Sequence, residues 1–100
     1  MILLNYRIVE TEDYLKDKEL LTDIATKRLA QILERLQNDP FPSEIEATSG
    51  VLNPIRSRFH DMYRFKFAGK FRLIYAVNID SHKIYLIKVE RRSSKTYKRI

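Results

Sequence analysis

The sequence predicts an α+β domain in which an N-terminal strand and one or two helices pack on an antiparallel β-meander. Three observations predict it. Tyr63 to Val89 falls into three apolar runs, parted by short breaks at Ala68-Gly69-Lys70 and Asp80-Ser81-His82. Period-two alternation with aromatic and β-branched residues marks half-buried strands, and short turn-rich breaks mark hairpins. Upstream, residues 20–37 repeat apolar side chains at three- and four-residue steps, the spacing of one helix face. Finally, 100 residues at 44% hydrophobic and 11% aromatic content suit a single domain, 1–100, with one modest core.

The elements follow in order. Ile2 to Val9 alternates loosely and reads as a first strand. Thr11 can cap a helix whose first turn holds Glu12 and Asp13, where acids favour the positive helix end. Tyr14 to Glu19 is then a short helix or a helical lead-in. Leu20 to Gln37 is the clearest helix, with Leu21, Ala25, Leu29, Ile32 and Leu36 as its apolar stripe, flanked by Ile24 and Leu33. Asp23, Lys27, Gln31, Glu34 and Arg35 occupy the opposite side. Asn38-Asp39-Pro40 and Pro42 end it. Phe41 to Arg58 is a long irregular connection broken by Pro42, Gly50 and Pro54, and long connections often carry function.

In the meander, Tyr63, Phe65 and Phe67 alternate with Arg64 and Lys66. Phe71, Leu73, Tyr75 and Val77 alternate with Arg72, Ile74 and Ala76. The cations need a solvent-facing side of the sheet. A three-residue Ala68-Gly69-Lys70 loop places Lys66 directly opposite Arg72 on one face, and a two-residue loop breaks that pairing.

Several function classes are excluded or disfavoured. There is no cysteine, so thiolate chemistry and disulfides are out. No run approaches a membrane span and no secretory layout is present, so a cytoplasmic protein is expected. No His/Asp/Glu cluster has metal-ligand spacing, no Gly-rich phosphate loop occurs, and no Ser-His-Asp arrangement can be drawn; no metal or cofactor is expected. Net charge is +6 and unevenly spread. Residues 1–50 hold 6 Lys/Arg against 10 Asp/Glu, and residues 51–100 hold 13 against 3. Such asymmetry points to a polyanion or an acidic protein as partner for the C-terminal half, with a merely solvated basic surface as the plain alternative.

Four features of that half resemble the RelE/ParE superfamily of bacterial toxins from type II toxin–antitoxin systems. YRFKF precedes a short Gly break. FRLIYAV resembles the family's "YRLVY-V" strand. An apolar strand ending in VERR resembles its "V-G-x-R". A tyrosine follows soon after, in RRSSKTYKRI. The match covers about the last forty residues, with a compatible helical first half. RelE-like members cleave messenger RNA in the ribosomal A site and are blocked by an antitoxin that wraps them.

The resemblance implies a site. Arg72 matches the arginine that contacts the scissile phosphate. Arg64 and Lys66 match a lysine pair, with arginine in the first place. Arg92 matches the second arginine of the motif, or Arg91 does by a one-residue shift. Tyr97 matches the C-terminal catalytic tyrosine. Arg56, Arg58, Lys70, Arg91 and Lys95 would add RNA contacts. The implied partners are a cognate antitoxin, forming a toxin–antitoxin hetero-oligomer, and the ribosome with its mRNA.

The chemistry agrees with these types. Without a metal, the RNA 2′-hydroxyl attacks the adjacent phosphate, which needs a base, an acid and cations for the developing charge. Guanidinium forks match phosphate oxygens and stay charged, so the arginines suit the last role and Lys66 or Tyr97 must move protons. Tyr97 can instead stack on a splayed base. His60, Glu44 and Glu46 are further acid–base candidates, and His82 suits turn chemistry. Each has a bland alternative: Arg64 and Lys66 as a solvated strand face, Tyr97 as a loose terminal residue, His60 as an exposed polar group. Two rival functions share the fold, a ParE-like gyrase inhibitor and a non-catalytic RNA- or protein-binding homologue.

Overall fold

The computed structural model describes residues 5–47 and 62–91. Within them the elements run β1 (Arg7–Glu10), α1 (Glu12–Lys18), α2 (Asp23–Asn38), β2 (Glu46–Ala47), β3 (Met62–Phe67), β4 (Phe71–Asn78) and β5 (Lys83–Arg91). The strands form one sheet in the order β1-β5-β4-β3-β2. β2 to β5 pair antiparallel, whereas β1 lies parallel to β5, with Ile8 opposite Ile84. The α+β prediction of helices on a meander holds, and β1 and β2 extend the meander at its two margins.

Thr11 starts α1 as expected, its Oγ1 accepting the Tyr14 N–H at 3.3 Å. The same hydroxyl reaches the carbonyls of Leu86 (2.7 Å) and Ile87 (3.0 Å), tying the helix start to β5. Beyond the end of β1, Asp17 takes over that flank of β5 and accepts the Val89 N–H at 2.9 Å. A strand edge that would face solvent is thereby satisfied by one helix turn.

The second helix begins three residues later than the sequence predicts. Thr22 caps it, Oγ1 accepting the Ala25 N–H at 3.1 Å, and the chain turns between the helices at Glu19 and Leu20. Leu20 consequently falls outside the helix and is 78% exposed, and Ile24, which flanks the stripe, is 76% exposed. Ala25, Leu29, Ile32 and Leu36 remain on it and are shut from solvent. They pack with Tyr14 against Phe65, Phe67, Phe71, Leu73, Tyr75, Ile84, Leu86 and Val89 of the sheet. The helix ends at Asn38, before Pro40, as read from the sequence. Tyr75 fastens this exit, its hydroxyl donating to the Pro40 carbonyl at 2.7 Å.

The other sheet face is not uniformly polar. Met62, Ile74, Ala76 and Ile87 are buried there in a second, smaller cluster, with Tyr85 against it. Ile87 joins it through a register shift. Ile74 faces Lys88 but Tyr75 faces Leu86, so Ile87 is the extra residue of a bulge. This explains why Ile84 to Val89 reads as an almost continuous apolar run. A bulge turns successive residues to both faces, and alternation is lost.

The irregular connection contains β2, whose Glu46 pairs with Arg64 and Ala47 with Tyr63. Its remainder to Arg58 lies outside the described residues, as do Ile2 to Leu4 of the expected first strand.

Candidate functional site

Strand alternation sends Tyr63, Phe65 and Phe67 of β3 towards the helices and leaves Arg64 and Lys66 on the far face. The β3–β4 loop is three residues long. Ala68 (φ 49°) and Gly69 (φ 80°) both take left-handed backbone conformations, and the Lys70 N–H closes onto the Ala68 carbonyl at 2.9 Å. That loop sets the register on which the sequence reading depended: Lys66 lies directly opposite Arg72.

Two rows of side chains cross this face. In one, Lys66 on β3, Arg72 on β4 and Glu90 on β5 stand side by side. In the next, Glu46 on β2, Arg64 on β3, Ile74 on β4 and Lys88 on β5 do so. The two carboxylates thus stand at opposite margins, with Arg64, Lys66 and Arg72 between them. Each carboxylate serves two cations. Glu46 lies 3.1 Å from Arg64 Nη2 and 4.0 Å from Lys66 Nζ. Glu90 lies 3.9 Å from Arg72 Nη1 and 3.9 Å from Lys88 Nζ. Arg72 is the most enclosed cation, its side chain 25% exposed, and Lys66 the most open at 62%. Arg64 also keeps a buried Nε–H that finds no hydrogen-bond partner among the described residues. Four cations against two carboxylates leave the patch positive, and the low exposure of Arg72 reduces the screening of its charge.

The remaining candidates divide. Lys70 is exposed at the tip of the β3–β4 hairpin, beside the row that holds Lys66. Arg91 stands over the Phe71 ring at 5.9 Å, and Phe71 belongs to the helix-side core, so Arg91 is carried away from Arg72. Arg56, Arg58, His60, Arg92, Lys95 and Tyr97 lie outside the described residues. The two glutamates considered as bases part company. Glu44 is held by the Arg35 fork at 2.8 Å on both oxygens, and that hydrogen-bonded pairing pulls its carboxyl below the usual range. Glu46 alone reaches the cationic face. His82 occupies the β4–β5 turn at φ 56° and stacks on Tyr6, ring centres 4.7 Å apart.

Lys88 and Glu90 are members of the site that the sequence reading did not pick out. Their signal is visible only through register. Both lie beyond the bulge as counted from the β4–β5 turn, so placing Glu90 opposite Arg72 or Lys88 opposite Ile74 requires knowledge of it. Among the described residues, no group of three His, Asp or Glu side chains could hold a metal ion. No described helix is long and apolar enough to cross a membrane.

A hairpin with basic residues on one face, two helices on the other and a parallel first strand at the margin has known counterparts. The archaeal RelE of the RelE–RelB complex from Pyrococcus horikoshii superposes with a TM-score of 0.71 at 24% identity, over 89% of this chain and 97% of that one. This is the RelE fold. The isolated RelE toxin of E. coli superposes with a TM-score of 0.69 at 21% identity, over 94% and 97% of the two chains. The YoeB/ParE toxin from Agrobacterium tumefaciens does so at 0.68 and 15% identity, over 87% and 99%. No family profile matches the sequence, and no curated protein does. The resemblance to the RelE/ParE superfamily read from four short motifs therefore holds at the level of the RelE fold, and over nearly the whole chain.

Proposed function

We propose that this protein is the toxin of a toxin–antitoxin pair and acts as an endoribonuclease on ribosome-bound mRNA. One observation carries the reading most: Arg72 and Lys66 stand in direct cross-strand register, with Arg64 beside them, on the face turned away from the helices. Like charges placed opposite each other on a sheet repel; Glu46 and Glu90 offset this only in part, at 4.0 Å from Lys66 and 3.9 Å from Arg72, so the pair suits an anion shared between the two cations. A phosphodiester supplies that anion. Arg72 would take the scissile phosphate, its fork offering two parallel N–H groups to the charge that builds during attack by the 2′-hydroxyl. Arg64 and Lys66 would grip the same or the adjoining phosphate. Arg92 would add a further cation, and Lys66 or Tyr97 would move the protons. Lys70 at the hairpin tip, with Arg56, Arg58 and Lys95, would extend the contact along the RNA backbone.

The partner of such a face would be acidic or extended enough to cover it. RelE from Pyrococcus is found in complex with RelB, which supports a cognate antitoxin here. A cytoplasmic site of action goes with ribosomes and mRNA as targets.

The test is primer extension on mRNA in a reconstituted translation reaction. Wild type should cut within A-site codons. Arg72→Ala should reduce cutting about a hundredfold or more, the usual cost of one lost charge-stabilising donor. Lys66→Ala and Tyr97→Phe should also weaken it. Intact mRNA with folded wild-type protein would overturn the nuclease assignment. A gyrase supercoiling assay then addresses the ParE-like alternative, for which the superposition on a YoeB/ParE toxin speaks.

A further inference from the structure

We infer that Glu90 restrains Arg72 and competes with RNA phosphate for it, so that this carboxylate limits how tightly the cationic face takes RNA. The inference rests on the nuclease reading only for its class of ligand, a single-stranded polyanion.

The geometry separates Glu90 from every other carboxylate on the described residues. It lies directly across from Arg72 on the neighbouring strand, and Lys88 flanks it on its own. Its strand is paired on one side by β4, and the Asp17 carboxylate holds the Val89 N–H on the other. Glu46, by contrast, rides on a two-residue strand at the sheet margin and is 52% exposed against 35% for Glu90. Glu90 is therefore the better fixed of the two.

Distance defines its action. The Arg35–Glu44 fork at 2.8 Å consumes guanidinium donors. The Arg72–Glu90 approach at 3.9 Å is too long for a hydrogen bond. Glu90 thus attracts Arg72 and biases its direction while leaving the N–H fork available to a phosphate. Once a phosphate arrives, the two anions share one guanidinium and repel. Ground-state binding is weakened by that repulsion, and the cut strand is easier to release. Lys88, 3.9 Å from Glu90, offsets part of the penalty.

The experiment uses the full chain and a short 2′-O-methyl oligouridine, which cannot be cleaved by 2′-hydroxyl attack. Binding is followed by fluorescence anisotropy across a salt series for wild type, Glu90→Gln, Glu90→Asp and Glu44→Gln. Glu90→Gln should bind about fivefold tighter, the size of one close charge–charge contact in near-aqueous surroundings. Its plot of log affinity against log salt should steepen by up to about 0.7, the value for one phosphate on a single strand, because Arg72 then neutralises its phosphate without sharing its charge. Glu90→Asp keeps the charge and should stay near wild type. Glu44→Gln makes the same change in net charge on the Arg35 side and should also stay near wild type. Glu90→Gln that melts like wild type but binds no tighter would overturn the inference and leave the nuclease reading standing. Equal tightening by Glu44→Gln would overturn it too, because net charge alone would then account for the gain. Wild type and Glu90→Gln that both ignore the oligonucleotide would overturn this inference together with the RNA reading of the face.

Discussion

Thr11 shows how much one hydroxyl can do. It caps α1, and it also reaches the Leu86 and Ile87 carbonyls at the bulge of β5. Thr11→Val keeps the shape and removes all three contacts. It should cost about 1–3 kcal/mol in urea denaturation, the sum of a lost cap and partly unsatisfied carbonyls. Ala68 presents the opposite case. Its φ of 49° lies in the left-handed region, which costs a side chain with a Cβ about 1–2 kcal/mol. Ala68→Gly should therefore stabilise by about 1 kcal/mol in the same assay, despite the greater freedom glycine has when unfolded. Because this loop sets the Lys66–Arg72 register, the same variant should leave oligonucleotide affinity unchanged. At the site itself, Arg72→Lys keeps the charge but loses the planar fork. It should retain oligonucleotide binding while cutting falls, a split between affinity and chemistry that Arg72→Ala would not show.

At the scale of the element, α2 supplies the weight of the helical layer. Leu29 is 2% exposed amid Tyr14 and the aromatic residues of β3 and β4. Leu29→Ala should cost about 2–5 kcal/mol, with the lower end reached only if the neighbours collapse into the space. The helices and hairpins were legible in the sequence because their signals are local. The α2 stripe, the Thr11 cap, the proline stop and the Gly-containing hairpin each act within a few residues. What was not legible depended on partners far along the chain. Ile24 flanks the stripe one residue before Ala25, and only the packing of the sheet against Ala25, Leu29, Ile32 and Leu36 decides that it turns outward. The bulge at Ile87 was hidden because an apolar run gives no register of its own, and with it went the pairing of Arg72 with Glu90 and of Ile74 with Lys88. The division of Glu44 from Glu46 was equally invisible. It follows from Arg35 on α2 claiming one and from a two-residue strand presenting the other to Arg64.

Across the whole molecule, two buried tyrosines make stability sensitive to alkali. Burial, with help from Glu10, pushes the Tyr14 hydroxyl up from 10.0 to about 12, and burial with Tyr63 and Asp39 nearby pushes Tyr75 higher still. The folded state thus keeps its phenol protons where the unfolded chain releases them. This contribution is complete below pH 10 and is lost as pH rises through the Tyr14 value of about 12. Thermal melts should accordingly fall above pH 10, and Tyr14→Phe should flatten that fall. Since the Tyr14 hydroxyl has no hydrogen-bond partner among the described residues, the same change should be neutral or mildly stabilising at pH 7.

The parallel pairing of β1 with β5 also orders events in time. Thr11 and Leu86 meet across 75 positions of sequence, so the first described strand has no place in the sheet until the last is made. Hairpins of β3 and β4 can form early, but closing so long a loop is slow and comes late. During synthesis, the nascent chain would emerge with α1 and α2 exposing their apolar faces, and the row from Lys66 to Glu90 would be incomplete. The cationic face is therefore finished only after β5, the last described strand, has left the exit tunnel.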